Sequence, residues 1–384
     1  MTQVTVYPYR KHNSFADMRH AAPDAPGVLT RIQAAQSRLG ETHLSVQDRA
    51  VVAQACDELL GSVRDLEPVF SLQPYVAQEI SKLTDEELPR YLWYRFRYEM
   101  YPQRKLLDHF PPCLQVEPVS SCNYRCVFCF QTNRTFTSRA NGHMGMMDLA
   151  LFRCVVDEAQ GQCEALTLAS RGEPLLHPDL PEMLAYAAGK FLALKLNTNA
   201  SRLDERMTHA ILGADVSTVV FSVDAASEPS YSRLRVGGRL KTVLENIRRF
   251  QEIRTKAYPK SRTITRVSGV KVEGAASLQD MERMWGELVD QVAFVTYNPW
   301  ENTYERPVNN LTAACSDLWR RSFVWWDGRV NPCDVDYLST LSVGRVQERG
   351  VRALWRSESY ERLRQHHLQR RRQDCSPCNR CTVI

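Results

Sequence analysis

Three cysteines, Cys122, Cys126 and Cys129, stand in one short run, VEPVSSCNYRCVFCF, with C-x3-C-x2-C spacing. Thiolates of this kind ligate zinc or iron–sulfur clusters. Structural zinc closes its tetrahedron with four protein ligands. A [4Fe–4S] cube held by three cysteines keeps one iron without a protein ligand, and such an open position can hold substrate or cofactor. A second group lies towards the C-terminus. Cys315 is followed after twelve residues by Gly328 and after four more by Cys333, then by Cys375, Cys378 and Cys381.

The elements that must hold these groups follow from hydrophobic periodicity. Strands are predicted at residues 114–119, 164–169, 191–196, 217–223, 264–272 and 291–297. Helices are predicted between them at 148–159, 180–188, 203–212, 240–254 and 278–289. Alternating strands and helices argue for an α/β fold with a parallel sheet and right-handed crossovers. The units are too few for a closed eight-unit barrel of ~250 residues, so a partial (β/α)6 TIM-type barrel is expected. The cysteine loop leaves the first strand. Polar residues end the later ones: Ser170-Arg171-Gly172-Glu173-Pro174, Asn197 with Asn199, and Ser222 with Asp224. Strand C-terminal ends form the catalytic face of barrel folds.

Residues 1–110 read as a helical N-terminal extension. Ser45 and Asp48 make an S-x-x-D start before Val51, Val52, Leu59, Leu60 and Val63 at helical spacing. Thr84 and Glu87 make a capping box before the aromatic run ELPRYLWYRFRYEMY, where Pro89 fits the first turn. Its rings are expected to pack the extension onto the barrel. The barrel takes residues 111–298, a polar linker 299–314 and a small Cys-rich domain 315–384.

The 384 residues are 43% hydrophobic and 24% charged, an ordinary globular composition. The N-terminus lacks a signal-peptide h-region, and no stretch approaches the ~20 apolar residues of a membrane span. A cytoplasmic location is expected. There, twelve clustered cysteines point to metal ligation rather than disulfides. Net charge is +5, and ERLRQHHLQRRRQD at 361–374 reads as a solvated helix face, with binding of a phosphorylated substrate as the alternative. No basic patch with interleaved aromatics outside residues 90–98 points to nucleic acid.

The cysteine motif, with Phe128 before its last cysteine and the ordered strand ends behind it, resembles the radical S-adenosylmethionine (SAM) superfamily over residues 113–298. The resemblance implies a [4Fe–4S] cluster on Cys122, Cys126 and Cys129, whose open iron chelates the amino and carboxylate groups of SAM. It implies Phe128 near the adenine, and backbone carbonyls around Gly172 and Glu173 receiving the SAM ammonium. Arg171 stands where glycine is common. Asn197, Asn199, Ser222 and Asp224 would face the methionine and ribose, and Arg235 the SAM carboxylate or the substrate. Singly, these residues are as well explained as turn or helix caps; their order carries the assignment.

C-x12-G-x4-C followed by C-x2-C resembles the SPASM/twitch appendage of such enzymes. That implies one auxiliary [4Fe–4S] cluster on Cys315, Cys333, Cys375 and Cys378. Cys381 could replace Cys375 or stay free, and a four-cysteine zinc site is the alternative. Asp334 matches the base of anaerobic sulfatase-maturating enzymes, with Asp336 as fallback. In an epimerase, Cys381 or Cys113 would return a hydrogen atom. Cys154 and Cys163 read as small buried hydrophobes.

The implied activity is reductive cleavage of SAM to a 5′-deoxyadenosyl radical. That radical takes a hydrogen atom from a small polar substrate (a sugar, aminocyclitol or nucleotide sugar) in a dehydrogenation or epimerisation. A flavodoxin- or ferredoxin-like protein would supply the electron. The alternatives are maturation of a ribosomally made peptide and a non-catalytic iron–sulfur or zinc protein.

Overall fold

The computed structural model describes residues 6, 8–10, 15–20, 25–62, 67–272 and 276–384, so Val63 lies outside the described residues. A first strand, β1 (Phe15–His20), precedes the barrel. The barrel wall is β2 (Cys113–Val116), β3 (Ala165–Leu168), β4 (Ala193–Thr198), β5 (Thr218–Ser222), β6 (Ile264–Lys271) and β7 (Gln291–Thr296). These six strands pair in parallel and in chain order. Helices at Leu149–Ala159, Leu180–Ala187, Glu205–Gly213, Leu240–Ala257 and Leu278–Trp285 connect them. The expected partial barrel is therefore present.

Strand residues divide between the two faces of the sheet. Leu166, Leu194, Leu196, Val219 and Phe221 join Val155, Leu184, Ile211 and Phe250 of the helices in one apolar core. The alternate set faces the barrel interior. Asp148 caps the first barrel helix by accepting from the amides of Ala150 and Leu151. Cys154 lies on the outer face of that helix and is exposed, so it is not the buried hydrophobe expected; Cys163 is buried.

The sheet extends beyond the six strands. β1 pairs antiparallel with β7, a contact that the run FADMRH does not announce. On the other edge β8 (Arg321–Val324) pairs in parallel with β2, followed by antiparallel β9 (Arg329–Asn331) and β10 (Gly344–Arg345). The result is a ten-stranded sheet with the Cys-rich segment joined directly to the barrel wall.

The extension closes the barrel floor. Thr84 and Glu87 form the reciprocal capping box, at 2.8 and 3.3 Å, before the helix Leu88–Arg104. Tyr91, Leu92, Tyr94 and Phe96 pack with Cys113, Ala165 and Ala193 at the N-terminal ends of β2, β3 and β4. The arginine-rich run near the C-terminus is not simply a solvated face. Arg364 is buried and donates to the carbonyls of Leu318 and Trp355, both at 2.9 Å. Arg372 is buried and donates to the carbonyls of Cys378, Cys381 and Val383, each at 3.0 Å. Neither guanidinium is available to a phosphorylated ligand. Among the described residues no helix is long and apolar enough to cross a membrane.

Candidate active site

A cavity of about 1030 Å³ runs through the barrel interior and is lined by the strand C-termini. Cys122, Cys126 and Cys129 line it together with Phe128, Gly172, Glu173, Asn197, Asn199, Ser222, Asp224 and Arg235. The cysteine loop turns tightly: the amide of Cys129 donates to the carbonyl of Cys126, and that of Thr132 to Cys129, both at 3.0 Å. Donors aim at its sulfurs. The Tyr124 amide lies 3.4 Å from Cys122 Sγ, and Arg235 Nη1 lies 3.5 Å from Cys126 Sγ. Burial pushes the Cys122 and Cys129 thiols up to about 12, with the charges of Glu173 and Cys126 adding to it. A bound cationic centre is what would make them thiolates. All three are free of disulfides. Among the described residues no three His, Cys, Asp or Glu side chains form a site ready for a single ion. Three free thiols on one cavity wall fit a cluster that leaves one iron open.

The strand-end residues separate into two kinds. Glu173 is buried and spends both oxygens on the protein: Oε1 accepts from Thr198 Oγ1 at 2.6 Å and Oε2 from the Asn199 amide at 2.7 Å. Asn199 bonds Asn123 Oδ1 at 3.0 Å and accepts from Ser201, so it braces the cysteine loop. Asp224 pairs with Arg235 and accepts from the Val270 amide at 2.6 Å. Arg235 in turn lies over the Phe128 ring. Asn199, Asp224 and Arg235 thus have protein partners while lining the cavity. Asn197 differs, since its Oδ1 is buried on the cavity wall with no hydrogen-bond partner.

Some site residues were missed in the sequence. Gln131 is buried and its Nε2 bridges the carbonyls of Ser120, at 2.7 Å, and Arg171, at 2.5 Å. Trp300 lines the cavity and donates to the Phe128 carbonyl at 3.2 Å. Only its position after the last barrel strand could have hinted at it. Lys195 also lines the cavity. Its signal was legible: a lone cation between Leu194 and Leu196, in phase with Asn197 and Asn199.

The C-terminal cysteines gather separately. Cys333 feels the charges of Cys378 and Cys381, and Cys378 those of Cys381 and Cys315; burial pushes the Cys315, Cys333 and Cys378 thiols upwards. Cys375 is the half-exposed member, and its thiol is raised by burial and then by Asp374. Cys381 is buried here and does not line the main cavity, which corrects its assignment as a hydrogen donor to substrate. Cys113 does line the cavity, at its floor. Asp334 lines the cavity on the side of this cysteine group. Asp336 does not serve as an alternative base. It is buried and accepts from Tyr304 Oη at 2.6 Å, Thr340 Oγ1 at 2.8 Å and the Leu341 amide at 2.8 Å.

The radical SAM superfamily profile matches residues 116–282, and the iron–sulfur cluster-binding SPASM domain matches residues 315–382. The tungsten-containing aldehyde ferredoxin oxidoreductase cofactor-modifying protein of Pyrococcus furiosus is 22% identical over 324 residues, covering 71% of this chain and 89% of its own. The mycofactocin maturase MftC of Mycobacterium ulcerans is 25% identical over 130 residues, covering 33% of each chain. The crystal structure of BtrN in complex with AdoMet and 2-DOIA aligns with TM-score 0.48 and 16% identity, covering 71% of this chain and 93% of that one. The first domain implies a [4Fe–4S] cluster with SAM, and the second implies auxiliary iron–sulfur. The chain therefore belongs to the radical SAM superfamily, as an enzyme with a C-terminal SPASM iron–sulfur domain.

Proposed function

We propose that the chain is an oxidoreductase that dehydrogenates a small polar molecule, a sugar, aminocyclitol or nucleotide sugar, inside the barrel. One observation carries this: Asp334 lines the same cavity as Cys122, Cys126 and Cys129. When bound, the cluster and SAM supply a hydrogen-abstracting radical, and the auxiliary cluster an electron acceptor. The chain's own residues supply the surroundings. Tyr91 and Tyr94 line the floor, where they pack with Cys113, Ala165 and Ala193. Asn197 Oδ1 and the backbone around Gly172 would hold SAM. Ser222 lines the same wall and would face the ribose, and Phe128 the adenine. Glu173, Asn199, Asp224 and Arg235 hold those parts in place. Asp334 would take the proton that the substrate releases after hydrogen loss. It is among the charges that favour the Arg321 guanidinium. A flavodoxin- or ferredoxin-like protein would deliver the electron.

Asp334→Asn should lower product formation by about 10²–10⁴-fold, the usual contribution of a positioned base. Release of 5′-deoxyadenosine should persist. Liquid chromatography of both compounds reads this out, and normal turnover by the variant would remove Asp334 from the mechanism.

For the auxiliary cluster we favour Cys315, Cys333, Cys378 and Cys381, because Cys381 acts on Cys315, Cys333 and Cys378, while Cys375 acts on Cys378 and is the half-exposed member. Anaerobic reconstitution should then load about eight irons in the parent protein and in Cys375→Ala, and about four in Cys381→Ala. The reverse pattern would restore Cys375. About four irons plus one zinc in the parent would mean a structural zinc site.

Peptide maturation is the second reading, favoured by the MftC match. The Pyrococcus furiosus relative is matched over most of its length and is named for modifying a cofactor, which supports a non-peptide substrate.

A further inference from the structure

Lys195 has no role in the chemistry above. It sits in the middle of β4, where Leu194 and Leu196 are buried in the outer core and Ala193, Lys195 and Asn197 line the cavity. Strand register sets Lys195 beside Thr167 of β3 and Thr218 of β5, with Gln115 of β2 next to Thr167. All four line the cavity. Lys195 thus stands in a layer of hydroxyl and amide groups, about 7 Å along the strand below Asn197.

Of the other cations lining this cavity, Arg266 and Arg321 act on Lys195, and both have partners. Arg266 Nε donates to Gln291 Oε1 at 2.6 Å, and Arg321 Nε lies 3.3 Å from Asp317 Oδ1. Lys195 differs: among the described residues, no hydrogen bond or ion pair reaches its ammonium. Glu79 acts on it favourably but is itself held by Tyr91. Burial, then Arg266 and Arg321, pull the Lys195 ammonium down to about 7. A half-buried cation beside like charges is unfavourable until an anion joins it.

Building on the small-substrate reading above, we propose that Lys195 binds an anionic group of the substrate, a carboxylate or a phosphate. Thr167, Thr218 and Gln115 offer it hydrogen bonds. The anchor lies deeper than the strand ends, so it sets which substrate carbon reaches the cysteine side of the cavity.

Calorimetric titration of the reconstituted, SAM-loaded protein tests this, with inorganic phosphate in one arm and acetate in the other. One saturable site is expected. Lys195→Met should weaken it by about tenfold, the loss of one charged hydrogen bond, whereas Lys195→Arg should largely preserve it. Tighter phosphate identifies a phosphate ester and tighter acetate a carboxylate. Lys195→Met should also leave iron content unchanged and raise Tm slightly, because it removes an unpaired cation; a purely structural lysine would give a lower Tm. Equal binding by parent and Lys195→Met overturns the proposal. So does a parent protein that cleaves SAM yet binds neither anion. A parent protein that loads iron but cleaves no SAM would instead sink the underlying radical reading.

Discussion

Gly172→Ala is expected to abolish most SAM cleavage while leaving the barrel folded. A β-carbon at this position would lie 2.1 Å from the Val119 carbonyl oxygen, 2.5 Å from that of Ser121 and 2.7 Å from the Ser120 carbonyl carbon. These are backbone atoms of the segment entering the cysteine loop, so no side-chain rotation relieves the clash. The strand end or the loop must move by roughly 1 Å, and a misplacement of that size costs on the order of 10²-fold in rate. The movement would also strain the hydrogen bond from the Glu173 amide to Ser121, now 2.9 Å, and the Gln131 bridge between Ser120 and Arg171. Release of 5′-deoxyadenosine per bound iron measures the effect. Activity equal to the parent would show that the glycine does not set the loop.

Arg171→Met is expected to produce the largest loss of stability, about 3–5 kcal/mol, as for any buried pair broken on one side. Arg171 grips Glu117 through two hydrogen bonds, Nε at 2.5 Å and Nη2 at 2.7 Å, with both residues buried. Its Nη1 donates to the Tyr337 carbonyl at 2.9 Å, and its guanidinium stacks 4.2 Å from the Trp325 ring. One side chain therefore ties the end of β3 to the C-terminal end of β2 and to the cysteine-rich segment. Removing it leaves the buried Glu117 carboxylate with the long bond from the Trp326 amide, at 3.4 Å, in place of its charged partner. Arg171→Met combined with Glu117→Leu should recover most of the loss, because a neutral apolar pair carries no desolvated charge. Thermal unfolding of both variants reads this. A single variant as stable as the parent would mean that solvent reaches Glu117.

The departure from glycine at Arg171 thus has a structural cause, but one that only the folded chain reveals. Much else was legible from the sequence. The six barrel strands could be read because each is a short segment rich in apolar and β-branched residues between helical patterns. The cysteine motif and the ordered strand ends were legible as well. Hydrogen-bond partners were not. That Asn199 and Asp224 also bond Asn123, Ser201 and Arg235 is visible only in the folded chain. Cys375 and Cys381 stand at equal C-x2-C spacing from Cys378, so spacing could not choose between them; in the fold Cys381 is buried and Cys375 half-exposed. β1 depends on the free edge of β7, which lies some 270 residues away in sequence. Arg364 and Arg372 look solvated in a charged run, yet main-chain carbonyls bury them.

The central claim is radical initiation at Cys122, Cys126 and Cys129. The most direct measurement is 5′-deoxyadenosine release from SAM by anaerobically reconstituted, chemically reduced protein, beside Cys126→Ala. Release by the parent and none by Cys126→Ala is expected. Equal release by both, or none from an iron-loaded parent that also fails to bind SAM, would contradict it.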